Sequence, residues 1–200
     1  MARSDNITGA LLMMASMAAF TFNDALIKTL AGEIPLFQVM FMRGVVTTIA
    51  VAIIAWRMGV LGRRLPRAYW GPFFFRMVCD ICSSYFFVTA LFNMTIANIC
   101  AIMQALPLTI TLAAALFFRE PVGWRRMLAI MVGFVGVMLI VRPGTEGFNV
   151  YSVYGLAAVS FVTLRDMATR RLSRDVPSMT VTLITSVFIM TFFGLASLSE

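Results

Sequence analysis

The feature that most restricts this chain is a succession of apolar runs, each near the ~20 residues a helix needs to cross a ~30 Å hydrocarbon core. Short segments rich in arginine separate them. Seven such runs extend from about Ile7 to Leu30, Leu36 to Trp56, Tyr69 to Phe92, Ile96 to Phe118, Met127 to Val141, Ser152 to Thr169 and Ser178 to Leu198. The sixth is interrupted by Arg165 and Asp166. The composition agrees: 60% hydrophobic and 12% charged residues lie well away from the roughly 45–50% and roughly 25% of soluble domains. The expected fold class is therefore an all-α polytopic membrane protein with about seven transmembrane helices, its first partner being the lipid bilayer.

Charge in the connecting segments predicts orientation. Arg3, Arg57, Arg63, Arg64, Arg67, Arg119, Arg125, Arg126, Arg170, Arg171 and Arg174 fall on one side and Arg142 alone on the other, eleven against one. Since basic residues remain on the cytoplasmic face, the N-terminus is expected to be cytoplasmic. The apolar run beginning at Ile7 exceeds the core of a signal peptide and reads as a retained span. A net charge of +7 would suggest nucleic acid in a soluble chain. Here the bilayer accounts for it, and no nucleic-acid partner is expected.

The absence of histidine excludes Ser-His-Asp and Cys-His nucleophiles and histidine-ligated metals. Cys79-Asp-Ile-Cys82 has a redox or zinc spacing but lacks a second ligand pair, and Cys100 stands apart, so these thiols are expected to be inert. Walker A and Gly-x-Ser-x-Gly patterns are also missing. The expectation is no enzyme activity, no metal and no cofactor.

Comparing the chain with itself at an offset of 142 places Asp24, Lys28, Leu30, Glu33, Ile34 and Pro35 on Asp166, Arg170, Leu172, Asp175, Val176 and Pro177. Five spans separate the two copies, so the second would be inverted relative to the first. Inverted repeats are a common plan of secondary transporters, in which substrate binds near the midplane between the halves. Residues 1–144 then read as a first repeat of five helices and 145–200 as the first two helices of a second. On this reading the sequence is a truncated ten-helix 5+5 fold, with a homodimer supplying the missing surfaces as the alternative.

Lys28, Arg43, Arg76, Arg165, Asp24, Asp80 and Asp166 lie inside the predicted spans. A charge at mid-helix costs about 2.5–3.5 kcal/mol on insertion scales, so each is expected to face a partner or a wet cavity. Arg76 and Asp80, at i and i+4, share a helix face. Asp24 and Arg43 are expected at a similar depth, able to meet, and Asp24 and Asp166 are candidates for alternate outer and inner closures. Gln104 can offer a donor and an acceptor to a cavity, and Pro107 is expected to kink span four. Ala97, Ala101, Ala105, Thr109 and Ala113, with Gly133 and Gly136, are expected to allow close helix packing. Methionines and phenylalanines are expected to face lipid, or to line an adaptable cavity. Trp56, Tyr69 and Trp70 read as interfacial anchors, and Trp124 as a loop residue.

Ala90-Leu91, Ala101-Ile-Met-Gln104-Ala-Leu-Pro107, Leu112 to Glu120, and Gly133 through Gly136 to Arg142-Pro143-Gly144 resemble the EamA family of the drug/metabolite transporter superfamily. The resemblance implies two inverted five-helix units, a central cavity, and movement of small metabolites such as amino acids. Some members take up S-adenosylmethionine, and Phe22-Asn23-Asp24 with Phe161 to Asp166 is similar to that branch, which adds Asn23 to the candidates. The chain departs from the pattern in carrying no spans eight to ten. The expected function is secondary transport of an amino-acid-like, drug-like or S-adenosylmethionine-like molecule by alternating access in a bacterial inner membrane. A lipid-handling or structural membrane protein, or a non-transporting fragment, is the alternative reading. A seven-helix receptor is disfavoured by the cytoplasmic N-terminus.

Overall fold

A computed structural model describes residues 2–59, 69–119, 121, 123–141, 149–171 and 178–199. Expectations placed on Arg63, Arg64, Arg67, Glu120, Arg142, Pro143, Gly144, Arg174 and stretch 172–177 of the second repeat copy lie outside those residues. The protein is an all-α polytopic membrane protein. Its helices are α1 (Ala2–Thr29), α2 (Leu36–Arg57), α3 (Trp70–Asn93), α4 (Ile96–Met103), α5 (Leu106–Phe118), α6 (Trp124–Val141), α7 (Val150–Arg171) and α8 (Ser178–Ala196). A short 3-10 turn, Ser197–Ser199, follows α8. Among the described residues, five spans are long and apolar enough to cross a bilayer by length and composition: Ile7–Thr29, Leu36–Arg57, Trp70–Asn93, Ile96–Phe118 and Met179–Ala196.

Most of the seven predicted runs coincide with one helix each. The fourth is interrupted over Gln104 and Ala105, with α4 before the break and α5 after it. Pro107, in the first turn of α5, has no N–H to donate to the carbonyl one turn back, so the regular ladder cannot pass through this point. The chain closes the gap with tighter bonds, Ala105 N donating to Ile102 O at 3.0 Å and Leu108 N to Ala105 O at 3.0 Å. Trp124 is the first residue of α6 and not a loop residue, because that helix starts three residues before Met127. The Arg125 guanidinium lies 5.7 Å from the Trp124 ring centre, a cation–π distance.

Two pairings organise the bundle, α3 along α7 and α2 along α8. On α3 and α7, Phe86 stacks on Phe161 with ring centres 5.6 Å apart and meets Tyr154 edge-on at 5.4 Å. Where α2 crosses α8, Gly44 lies against the Met190 backbone, at which an added β-carbon would stand 3.1 Å from Met190 Cα. Gly194 lies under the Phe41 ring, where an added β-carbon would come within 2.9 Å. The predicted small-residue positions contribute unequally. Ala105 is buried and Gly133 lies directly under Leu108, but Ala97 is exposed and Gly136 has open space around its α-carbon. Helix–helix association in lipid depends on such close backbone approach. We expect Gly44→Val to lower the unfolding free energy by about 1–3 kcal/mol through overpacking, and Gly136→Ala to change it little. Thermal unfolding of both variants in the same detergent checks the contrast.

The core formed by these pairings includes Val88, Ala90, Leu91, Ile99, Ile102, Val159 and Phe193. α1 contributes chiefly through its C-terminal end, where Ile27 is buried; Leu11, Leu12 and Met14 remain exposed. The outward faces of α2, α3 and α6 likewise carry exposed Val46, Ile49, Phe74, Val132 and Leu139. Such a surface is compatible with lipid and not with water.

Candidate functional site

The intramembrane charges sort into two groups and one isolated lysine. The larger group ties α3, α7 and α8 together. Arg76 and Asp80 share a face of α3, with Arg76 Nη1 3.7 Å from Asp80 Oδ2. Arg165 of α7 donates from Nη1 to Asp80 Oδ1 at 3.0 Å, and from Nε to Asp166 Oδ1 at 3.0 Å. Arg76 Nε donates to Thr169 Oγ1 at 2.9 Å, and its Nη1 donates to Thr185 Oγ1 of α8 at 2.7 Å. Asp80 is buried at 7% exposure, which leaves it dependent on these partners and not on water. Two guanidiniums and two carboxylates give the group no net charge, and every member has an ionic or hydrogen-bonding partner.

Helix geometry puts this network at a defined depth. With about 1.5 Å of rise per residue, Arg76 lies roughly 9 Å and Asp80 roughly 15 Å from the start of α3, Arg165 roughly 9 Å from the end of α7, and Thr185 roughly 10 Å from the start of α8. All four estimates place it in one half of the bundle. The second group lies in the other half. Asp24 stands roughly 8 Å from the end of α1, and Arg43 roughly 10 Å from the start of α2.

Asp24 and Arg43 do not close the ion pair anticipated from their depths. Asp24 accepts a hydrogen bond from Asn23 Nδ2 at 3.3 Å, and it feels Arg43 only as a nearby charge. The reason lies at the end of α1, where Lys28 Nζ donates to the carbonyls of Leu91, Phe92 and Met94, each at 2.8 Å. The ammonium thereby caps the C-terminus of α3 and holds α1 against the α3–α4 turn instead of along α2.

Between the two groups is a cavity of about 140 Å³ bounded by α2, α3 and α8 and lined by Met40, Arg43, Gly44, Thr47, Ser84, Ser186, Ile189 and Phe193. Ser84 is one turn from Asp80, and Ser186 adjoins Thr185, so the ionic network lies next to one end of the cavity. Toward the other end Phe37 packs against Tyr85 and Phe193, with ring centres 6.2 Å apart in each case. A larger apolar groove of about 360 Å³ lies between Pro72, Phe75, Phe118, Leu164 and Met167, with Arg171 at its edge. Arg171 also lies over the Phe118 ring at 6.0 Å.

Of the sequence candidates, the structure joins Arg76, Asp80 and Asp166, and sets Arg43 in the cavity wall. Asn23 and Asp24 lie beside each other on α1. Gln104 sits exposed at the end of α4, in neither the network nor the cavity, and Pro107 is exposed in the following turn. Arg165, expected only to face a partner or a wet cavity, is the central cation of the network, and Thr169, Thr185 and Ser84 are polar partners not anticipated from the sequence. Thr185 stands 142 positions after Arg43, and Arg165 stands 142 after Asn23, so the offset that aligns Asp24 with Asp166 already pointed to two of them. Cys79 is buried, Cys82 and Cys100 are half-buried, and all three are free thiols. No group of acidic, cysteine or histidine side chains able to hold a metal occurs among the described residues.

Comparison with known proteins agrees with this architecture. The pseudopaline exporter CntI of Pseudomonas aeruginosa is 29% identical over 171 residues, covering 81% of this chain and 57% of the exporter. The S-adenosylmethionine uptake transporter of Rickettsia felis is 25% identical over 162 residues, or 79% and 53% of the two chains. A riboflavin transporter of Vibrio cholerae is 34% identical over 79 residues, 39% of this chain and 26% of that one. The chain thus spans a little over half the length of the first two relatives. No solved structure matches. Residues 7–142 match the EamA-like transporter family, and because that match takes in more than half of a chain whose helices bury charge inside an apolar bundle, the protein belongs to this family.

Proposed function

We propose that the protein is part of a secondary transporter that moves a small metabolite across a bacterial plasma membrane by alternating access, with its N-terminus in the cytoplasm. The observation that carries this reading is the Arg76–Asp80–Arg165–Asp166 network around buried Asp80, next to a cavity that sets Arg43, Ser84 and Ser186 among apolar side chains. Such charges within a membrane ordinarily border a hydrated path. The network closes the cavity on the cytoplasmic side, and Phe37, Tyr85 and Phe193 close it on the outer side. Opening inward requires Arg165 of α7 to leave Asp80 of α3. Asp24 and Arg43 form the corresponding polar pair on the outer half, brought together when that side closes.

The repeat division, residues 1–144 and 145–200, belongs to the same proposal. Its support is that α7 ends at Arg171, 142 positions after Thr29 ends α1, and α8 begins at Ser178, 142 positions after Leu36 begins α2. Packing of α2 on α8 then pairs equivalent helices of opposite orientation, the interface about which inverted-repeat carriers rock. The relatives move pseudopaline, S-adenosylmethionine and riboflavin according to their names, which supports a small polar organic substrate here. A second copy of the chain is the proposed partner for the exposed flank of α1.

The test is uptake into vesicles containing the purified protein, with labelled S-adenosylmethionine, riboflavin and amino acids offered in turn. Asp166→Asn and Asp24→Asn are each expected to slow uptake of the responding compound by about tenfold or more, equivalent to at least ~1.4 kcal/mol of barrier. Unchanged rates in both variants would reject the gating roles. Failure of every compound to enter above protein-free vesicles would count against transport by this chain.

A further inference from the structure

We propose that the cavity beside Arg43 is a carboxylate subsite: it receives the anionic end of the transported molecule while Met40, Ile189 and Phe193 hold the adjoining apolar stem. This deepens the transport reading and rests on it, since it assigns one end of the substrate. Three of the four intramembrane cations are already satisfied. Lys28 donates to three carbonyls, Arg76 to Thr169 and Thr185 beside Asp80, and Arg165 to Asp80 and Asp166. Arg43 alone has neither an ion pair nor a hydrogen bond among the described residues, although it is half-buried in a mid-membrane wall. Asp24 acts on it only as a nearby charge without contact, and a guanidinium left there with no contact partner is unfavourable unless a ligand completes it.

The remaining chemistry of the wall selects the ligand. A guanidinium presents a planar fork of donors that matches a carboxylate bidentately. Ser84 and Thr47 make no hydrogen bond among the described residues, so both hydroxyls are free to donate to a ligand in the cavity. Ser186 directs its proton to Leu183 O at 2.9 Å and contributes only lone pairs toward the cavity. No carboxylate belongs to the lining, so an anion meets no charge repulsion from the wall itself. The cavity's volume of about 140 Å³ is below the roughly 300–1,000 Å³ of sites that enclose a whole drug-sized ligand, which fits one charged end and a short stem.

Its position is also significant. Gly44 and Ser186 stand 142 positions apart, as do Thr47 and Ile189, and all four line the cavity. The site therefore straddles the α2–α8 crossing at equivalent positions of the two proposed repeats, and carriers of this plan hold substrate at that interface. Arg43 lies roughly 10 Å inside the end of α2, deeper than a lipid phosphate ordinarily resides.

The experiment is saturation-transfer NMR on the full chain in phosphatidylcholine nanodiscs, with 4-methylpentanoate as the probe and 4-methylpentanamide as its uncharged counterpart. Transfer to the methyl groups is expected from the acid, with at least a tenfold weaker signal from the amide. Arg43→Gln should abolish the acid signal and Arg43→Lys should weaken it. Equal signals from acid and amide, or an acid signal unaffected by Arg43→Gln, would overturn the proposal. If Arg43→Gln does not fold, Ser84→Val and Thr47→Val carry the test, with weaker acid binding expected and unchanged binding overturning it. Repeating the measurement in phosphatidylglycerol discs separates the sources of the anion. A retained signal supports a substrate carboxylate, whereas suppression assigns the site to a lipid phosphate and overturns the substrate assignment. No acid binding in a protein that still transports removes the subsite alone. Acid binding in a protein that transports nothing removes the transport reading and leaves an anion site.

Discussion

Asp80→Asn is expected to lower the unfolding free energy by about 3–5 kcal/mol, the usual result of removing one partner from a buried ionic group. Asp80 accepts from Arg165 at 3.0 Å and lies 3.7 Å from Arg76, so the neutral amide leaves two guanidiniums facing each other across α3 and α7. Asp166 compensates only in part. It already accepts from Arg165 and is about a third exposed, which weakens its field. The loss should concentrate on the α3–α7 pairing, because Arg165 is the ionic link between those helices. Thermal unfolding in detergent reads the total. Combining Asp80→Asn with Arg165→Gln should be less damaging than the sum of the single changes, by a coupling of about 0.5–3 kcal/mol. Strict additivity would show that the two side chains do not depend on each other, and the network would then be a set of independent contacts.

Lys28→Met should cost about 3 kcal/mol, although methionine is the more favourable residue in lipid. Lys28 Nζ makes three 2.8 Å hydrogen bonds to the carbonyls of Leu91, Phe92 and Met94. Hydrogen bonds to a charged group contribute about 1.5–3 kcal/mol each, so even partial replacement by water leaves a substantial deficit. The carbonyls concerned belong to the last turn and cap of α3, where the helix has no amide donors of its own, and Leu91 and Met94 are buried. Hydrogen exchange offers the more discriminating measurement. Faster exchange should appear at the end of α3 and the start of α4, and not around Asp80. Lys28→Arg should retain most of the stability, since its guanidinium also donates to several carbonyls. A neutral Lys28→Met would mean that the α3–α4 turn is satisfied without α1.

These outcomes separate two uses of charge that composition cannot distinguish. Lys28, Arg43, Arg76 and Arg165 all appear in the sequence as cations within apolar runs, yet their surroundings are of three kinds. Lys28 is bonded to backbone, Arg76 and Arg165 are bonded to carboxylates and hydroxyls, and Arg43 faces a cavity. The Arg76–Asp80 contact was legible because i,i+4 neighbours share a face whatever the rest of the chain does. Arg165 as the closer partner of Asp80 was not, because 85 residues separate them and only the rotation of α7 about its axis brings its guanidinium round to α3. The same difficulty defeated the anticipated pairing of Asp24 with Arg43: equal depth was computable, but the lateral anchoring of α1 by Lys28 was not.

What the sequence by itself determined is the class of protein, the approximate extent of its apolar helices, and the family. These depend on run length, charge and Pro107, properties a single segment carries into the bilayer before it touches another. The tertiary structure decided which glycines admit a neighbouring helix, which cation belongs to which carboxylate, and where a cavity remains. Gly44 and Gly194 serve the α2–α8 crossing while Gly136 meets open space, although all three are glycines in apolar helices. In lipid, where an apolar face gains little by choosing one apolar neighbour over another, partner choice rests on backbone proximity and buried polar bonds. Both depend on the relative rotation of whole helices, which no local pattern of residues encodes.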